Sequence, residues 1–165
     1  DGTKPSITNG GFESGTDPEG GPDFWYYQRG VSLEDKDAPE GKHYVSYSNN
    51  DPGHLAHSNQ GFGVDGRRVE FLELAFWLKT DKVRAGSKPE HVPGIVITFI
   101  DPTKKIADTV RAGPFDGTTD WTEKRERITV PKAAEYAVIM IGLNGGTGRI
   151  AFDDIQLKPI LRALK

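Results

Sequence analysis

The chain has no cysteine among its 165 residues. That excludes a disulfide framework, a thiolate zinc site and a cysteine nucleophile. It also lacks a surplus of one charge. With 21 basic and 24 acidic residues the net charge is −3, which leaves no electrostatic footprint for nucleic acid or for an anionic membrane surface. No stretch approaches the ~20 apolar residues that cross a bilayer, so membrane insertion is not expected. A basic-then-apolar leader is missing as well, and Asp1 is an unusual first residue. The expectation is that a leader or an upstream domain precedes it in the full-length protein. Helical periodicity is nearly absent.

What the chain does have is punctuation. Its 20 glycines and 11 prolines are spread evenly, as turns are, with no disordered tract. Between them stand short β-branched and aromatic runs, the pattern of an all-β sandwich or barrel. Strands are expected at Phe24 to Arg29, His43 to Ser48, His57 to Val64, Val69 to Lys79, Gly94 to Ile100, Thr122 to Val130, Tyr136 to Leu143 and Ile150 to Lys158. Asp65-Gly66 reads as a turn and Lys82 to Pro93 as a loop. The glycine-rich Gly142 to Gly148 reads as a hairpin loop. It is no phosphate cradle, because a strand follows it where a helix N-terminus and a lysine-serine pair are needed. No internal repeat is visible. A single domain is expected over 1–158, with 159–165 as a C-terminal tail or linker. A chain of this length buries roughly 68–70% of its unfolded surface, enough for a self-sufficient core.

Val69 to Lys79 alternates cleanly. Leu72, Leu74, Phe76 and Leu78 share one face, which is core; Glu73, Ala75, Trp77 and Lys79 share the other, which meets water. Ile95 to Ile100 and Ala137 to Leu143 are apolar on both faces and read as central strands. In the last strand Ile150 and Phe152 are in one phase, Ile155 and Leu157 in the other. The slip falls at Asp153-Asp154, where a β-bulge is expected.

The two ends carry the most chemistry. Asn9-Gly10-Gly11-Phe12-Glu13 and Gly148-Arg149-Ile150-Ala151-Phe152-Asp153-Asp154-Ile155 each set carboxylates beside core residues with no cation close by on the same segment. A carboxylate beside buried side chains needs a partner. The economical reading is that the ends lie together and share a hard metal ion held by oxygens.

These segments also resemble a family. N-G-x-F-E near the start and F-D-D-I near the end are similar to bacterial carbohydrate-binding modules of families four, nine and twenty-two. The likeness continues through Gly41-Lys42-His43-Tyr44-Val45, through Leu72 to Lys79, and through Trp121 with Ile128-Thr129-Val130-Pro131, over roughly residues 7 to 158. The resemblance implies a jelly-roll β-sandwich of two antiparallel sheets with a structural Ca²⁺. It implies that Glu13 and Asp153, the latter beside Asp154, supply carboxylates, with Glu40 and the His43 carbonyl completing the set. It further implies a secreted bacterial protein, extracellular or periplasmic, tethered to other domains. Trp25 and Trp121 fall at structural positions of the family and are expected in the core.

Polysaccharide is the expected partner. Sugar rings stack their C–H faces on aromatic surfaces, while amides and arginine bond the hydroxyls. Trp77 is the leading candidate, on the wetter face of its strand. Tyr27, Arg29, His57 and Asn59 follow, because in the family's arrangement their strands neighbour it. In the Trp25-Tyr26-Tyr27 run alternate aromatics should point to opposite faces. His54 and His57 are three apart, but with no cysteine, no third histidine nearby and no helix they make a poor zinc site. No nucleophile elbow or acid–base carboxylate pair stands out. The leading function is therefore non-catalytic polysaccharide binding. The alternatives are a structural or adhesive jelly roll without sugar affinity and, more remotely, a polysaccharide-active enzyme using His54, His57 or His91.

Overall fold

Ten strands form the fold, and the computed structural model describes residues 1–163. They are β1 (Tyr26–Arg29), β2 (Val31–Glu34), β3 (Tyr44–Asn49), β4 (His57–Gly63), β5 (Val69–Arg84), β6 (Gly94–Ile100), β7 (Ile106–Ala112), β8 (Gly117–Thr129), β9 (Tyr136–Gly142) and β10 (Thr147–Leu161). They pair antiparallel in two five-stranded sheets, ordered β1-β4-β9-β6-β7 and β2-β3-β10-β5-β8. From β3 to β6 and from β7 to β10 the chain changes sheet at every connection, as in a jelly roll. The expected all-β jelly-roll sandwich is the observed fold.

Strand alternation decides what each sheet buries. The first sheet turns Ile95, Ile97, Phe99, Ile139 and Ile141 inward, and the second turns Tyr47, Leu72, Leu74, Phe76 and Phe152 to meet them, all fully buried. Tyr47 and Phe76 pack against Phe152 with ring centroids 6.3 and 6.1 Å apart. One polar contact crosses this core. The Tyr47 hydroxyl donates to Ser58 Oγ at 2.7 Å, and Ser58 Oγ donates to Gln28 Oε1 at 2.9 Å. The chain satisfies a buried phenol and a buried serine together, which avoids the cost of leaving either unpaired.

The structure corrects several expectations. Strands β2 and β7 were not foreseen: β2 is only four residues long, and β7 is an edge strand whose residues are mostly exposed, so neither shows strong alternation. Strand β5 continues through Lys82 to Arg84, which shortens the loop expected there. The glycine-rich segment after β9 is no hairpin, because β9 and β10 belong to different sheets and the segment crosses between them. Trp121 is half-buried on the outer side of the second sheet, edge-on to Tyr44 at 5.0 Å, and is not core; Trp25, 3% exposed, is. The expected bulge is present. The β10 register slips between Asp153 and Gln156, with Asp154 at φ 47°.

Residues 159–161 are not a tail either. Pro159, Ile160 and Leu161 pair with Leu72, Phe71 and Val69. Beyond them the Arg162 N–H donates to Arg68 O at 2.7 Å, and its guanidinium donates to Gly66 O at 2.8 Å and Val130 O at 2.9 Å. Residues 164–165 of the expected tail lie outside the described residues. A charged hydrogen bond to backbone contributes about 1.5–3 kcal/mol. A chain ending at residue 158 is therefore expected to unfold at least about 2 kcal/mol more easily than one ending at 163. Urea denaturation of the two checks this, and equal midpoints would restore the tail reading.

Candidate functional site

The outer face of the first sheet is shaped by a distortion in β1. Trp25 is driven inward, packing on Phe12 at 5.6 Å and donating its Nε1–H to Asn9 O at 3.1 Å. The chain on either side of it is strained. Phe24 sits at φ 68° and Tyr27 at φ 52°, a region that bulky residues rarely enter, and the β1–β4 register slips between Tyr26 and Arg29. The bulge turns two consecutive tyrosines outward, where strict alternation would have buried one of them. Phe24, Tyr26 and Tyr27 are 53%, 58% and 81% exposed.

In β4, Ser58, Gln60 and Phe62 face the core, so His57, Asn59, Gly61 and Gly63 face out. Tyr136 of β9 lies over Gly61; a Cβ there would collide with the phenol. A strand glycine commonly marks such a close approach. Together Thr8, Phe24, Tyr26, Tyr27, Asn59 and Tyr136 surround a hollow of about 390 Å³. Asn59 Oδ1 and His57 Nδ1 are buried with no hydrogen-bond partner. Burial first, and the charge of Arg29 second, hold His57 below its ordinary pKa, so its ring is neutral at pH 7. His54 lies in solvent 3.9 Å from Asp51, and His91 is wedged against Gly86 and Gly145.

Of the sequence candidates, Tyr27 and Asn59 line the hollow, and Arg29 pairs with His57 farther along the same face. Trp77 is elsewhere. Its strand, β5, pairs with β10 and β8 in the second sheet, so Trp77 is half-buried on the opposite outer face, across from Asp153 and Glu123. The five residues do not come together as the resemblance implied. Sequence reasoning missed Phe24, Tyr26 and Tyr136. Tyr136 had a signal: it shares a phase with Val138 and Met140, opposite the buried Ala137, Ile139 and Ile141. Gly61 and Gly63 at alternate positions were a second one.

The two ends do meet. The Ile155 N–H donates to Gly10 O at 2.8 Å, seating the N-terminal segment on the β10 bulge. Glu13 and Asp153 then hold the loop 40–43. Glu13 Oε1 accepts the N–H groups of Lys42 and His43 at 2.9 and 3.2 Å, and Oε2 lies 3.1 Å from His43 Nδ1. Gly41 lies at φ 58°, and a Cβ there would collide with the Glu13 carboxylate. Asp153 accepts from Glu40 N–H at 3.1 Å and Asp154 N–H at 2.8 Å. Burial works against ionisation of Glu13, but the amides and ring of this loop outweigh it and keep its carboxyl below the usual range. Asp153 is 0% exposed. Its burial, then the nearby charges of Glu13 and Asp154, push it up to about 7 against the two hydrogen bonds. Glu40 presents only its backbone N–H here and is itself exposed. Among the described residues no three Asp, Glu, His or Cys side chains gather at metal-binding spacing. The donor chemistry nevertheless fits a hard cation: the carboxylates are oxygen donors, and the buried one has no counter-charge.

The second sheet's outer face is laced with ion pairs. Arg125, Arg127 and Arg149 are held by Glu123, Glu73 and Glu34, the last two at 2.7 and 3.1 Å. A hollow of about 410 Å³ lies there between Tyr44, Lys79, Asp81, Asp120 and Arg149.

No protein-family model matches the chain, and no curated protein does. Solved structures do. A family 16 carbohydrate-binding module is 22% identical with a TM-score of 0.62, over 92% of this chain and 98% of that one. A family 22 xylan-binding domain from Paenibacillus barcinonensis is 16% identical with a TM-score of 0.60, over 96% and 94%. The enzymatically active domain of bacteriophage CBA120 tailspike protein 4 is 21% identical with a TM-score of 0.62 over 93% of this chain. The chain spans only 21% of that tailspike. At these identities the likeness establishes the fold, a jelly roll of the carbohydrate-binding-module type.

The buried carboxylate gives a pH signature. The folded-state pKa of Asp153 lies above its unfolded value of 3.8, so protonation favours the fold. Its stabilising contribution is fully present below that value and is lost as pH rises through about 7. In chelator, thermal unfolding should show the melting temperature falling from pH 4 to pH 8, and Asp153→Asn should flatten the slope. A slope unchanged by the substitution would count against this account of Asp153.

Proposed function

We propose that this domain binds polysaccharide without catalysis, on the outer face of the β1-β4-β9-β6-β7 sheet. One observation carries the reading: four exposed aromatics, Phe24, Tyr26, Tyr27 and Tyr136, ring one hollow that Asn59 also lines, its Oδ1 buried beneath without a partner. Aromatic planes take the C–H faces of pyranose rings, and a buried amide oxygen without a donor takes a hydroxyl. Two of these aromatics are held at strained backbone angles, which a fold retains when the surrounding structure fixes them for use. Similarity in fold to the family 16 module and to the xylan-binding domain supports the reading. The open, shallow face suits a polymer, which needs no enclosure. A filled face would have favoured the structural-spacer alternative, whereas this hollow is open and carries the polar Thr8 and Asn59 beside its aromatics. The tailspike domain, of which this chain spans 21%, supports a domain tethered within a larger protein.

Calcium is proposed as the structural ion, held by Glu13 and Asp153 together with the His43 carbonyl that the family resemblance implies. Its chemistry would be charge compensation for Asp153. The residues themselves already join the two ends through the loop, so the ion would reinforce an existing clasp.

Two outcomes are expected. Tyr26→Ala and Tyr136→Ala should each weaken polysaccharide binding by about 1–3 kcal/mol, as loss of a stacked ring does, with the melting temperature nearly unchanged. Trp77→Ala, on the other sheet, should leave binding intact. Isothermal titration against a polysaccharide panel checks both; turnover of any of them, seen as new reducing ends or unsaturated products, would overturn the non-catalytic reading. Calcium at one hundred times its dissociation constant should add ~2.7 kcal/mol to unfolding. Purified protein without bound metal, and with a melting temperature indifferent to calcium, would remove the ion from the proposal.

A further inference from the structure

We infer that the polysaccharide this face recognises is anionic, its sugars bearing carboxylate or sulfate groups, and that Arg29 and Arg111 receive those groups. The inference rests on the binding face proposed above and adds the class of sugar.

The charge pattern of the two sheets motivates it. Among the strands of the first sheet the sole carboxylate is Asp108, exposed on the edge strand β7, where it pairs with Phe99 in the phase opposite to Arg111. None of the residues these strands turn outward is acidic. The strands of the second sheet carry nine carboxylates, from Glu34 to Asp154. The whole chain is net acidic, so a face with two arginines and no carboxylate departs from its average. The arginines differ as well. Arg125, Arg127 and Arg149 on the second sheet are each clamped by a glutamate. Arg29 and Arg111 are exposed, and among the described residues neither has an ion-pair partner on its own face. A guanidinium left free on a carboxylate-free face is set to take an external anion, bidentately where it is planar.

The ladder places these charges along a path. Tyr26 pairs with Asn59, Asn59 with Met140, Met140 with Val96 and Val96 with Arg111. All five lie in one row across the sheet, four strand spacings long, about 19 Å at ~4.8 Å per step. That length holds several linked pyranose rings. A chain anchored in the aromatic hollow and lying across the strands would pass over the apolar floor of Met140 and Val96. It would reach Arg111 at the far edge, with Arg29 beside its near end. Anions spaced along such a chain meet one cation near the aromatic hollow and a second at the far edge.

The test measures affinity of the full chain for matched pairs: polygalacturonate and its methyl ester, and sulfated dextran and dextran, at 20 and 500 mM salt. The expected result is at least tenfold tighter binding of a charged member than of its neutral partner, falling with salt as exposed charge pairs do. Arg111→Gln and Arg29→Gln should each lose about tenfold in that binding and reduce its salt dependence, with Lys at either position restoring part of it. Arg125→Gln, on the other sheet, is the control and should change nothing. Preference within the uronate pair alone or the sulfate pair alone identifies the anion. Equal or tighter binding of neutral chains, indifferent to both arginines, overturns the inference and leaves the polysaccharide reading standing. Binding to no member, with Tyr26→Ala having nothing to lose, overturns both.

Discussion

The aromatic face depends on how residues 8–13 are docked. This short segment touches both sheets. Thr8 exchanges two hydrogen bonds with the Gln60 side chain of β4, both at 2.9 Å, and Gly10 accepts from Ile155 at the β10 bulge. Between those anchors, Asn9 O and the buried Phe12 ring hold Trp25. Once the indole is fixed inward, the residues after it are committed. The bulge carries Tyr26 and Tyr27 out together, and Gln28 turns back to meet Ser58. A platform of exposed aromatics is costly to leave in water and gains nothing for the fold. The polysaccharide binding proposed above would account for its presence.

The same docking explains the carboxylates. A chain whose first and last segments must lie side by side brings Glu13 against the loop that Asp153 supports from the other side. Each acid satisfies backbone N–H groups that would otherwise be unpaired beside the core. Asp153 does so without any exposure, and the repulsion from Glu13 makes its charge costly. The divalent cation proposed here would remove that conflict and close nearly the whole length of the chain. It would serve the stability of the scaffold, away from the aromatics.

Much of the architecture was legible because alternation is a direct consequence of strand geometry. The inward set of β5, Leu72, Leu74, Phe76 and Leu78, and the phase slip at Asp153-Asp154 could both be read from residue order. Sheet membership could not. Trp77 has the composition of a sugar platform, a large aromatic between charged neighbours, but strand order is set by long-range pairing that no local pattern encodes. The bulge at Tyr26–Arg29 was hidden for a related reason. Three consecutive aromatics are compatible with alternation, and only the burial of Trp25 against Phe12 shows that the register breaks after it. Strand β7 escaped because edge strands face water on most positions and lose the contrast that alternation needs.

The two outer faces show that one fold can divide its surface by charge. On the second sheet, acidic and basic residues neutralise one another in pairs, and β8, its edge strand, carries Asp120, Glu123 and Glu126 among its basic residues. Such pairs add little stability, at most about 1 kcal/mol each when exposed, but they leave that face with no unmatched field. On the outward positions of the first sheet's strands the charges are sparse and of one sign, and Tyr136, Val138, Met140 and Val96 share that face. Stability does not require this difference, since either pattern covers the same core. An apolar floor bordered by unpaired cations matches the anionic polysaccharide proposed above, which would bring both the apolar surface and the negative charge.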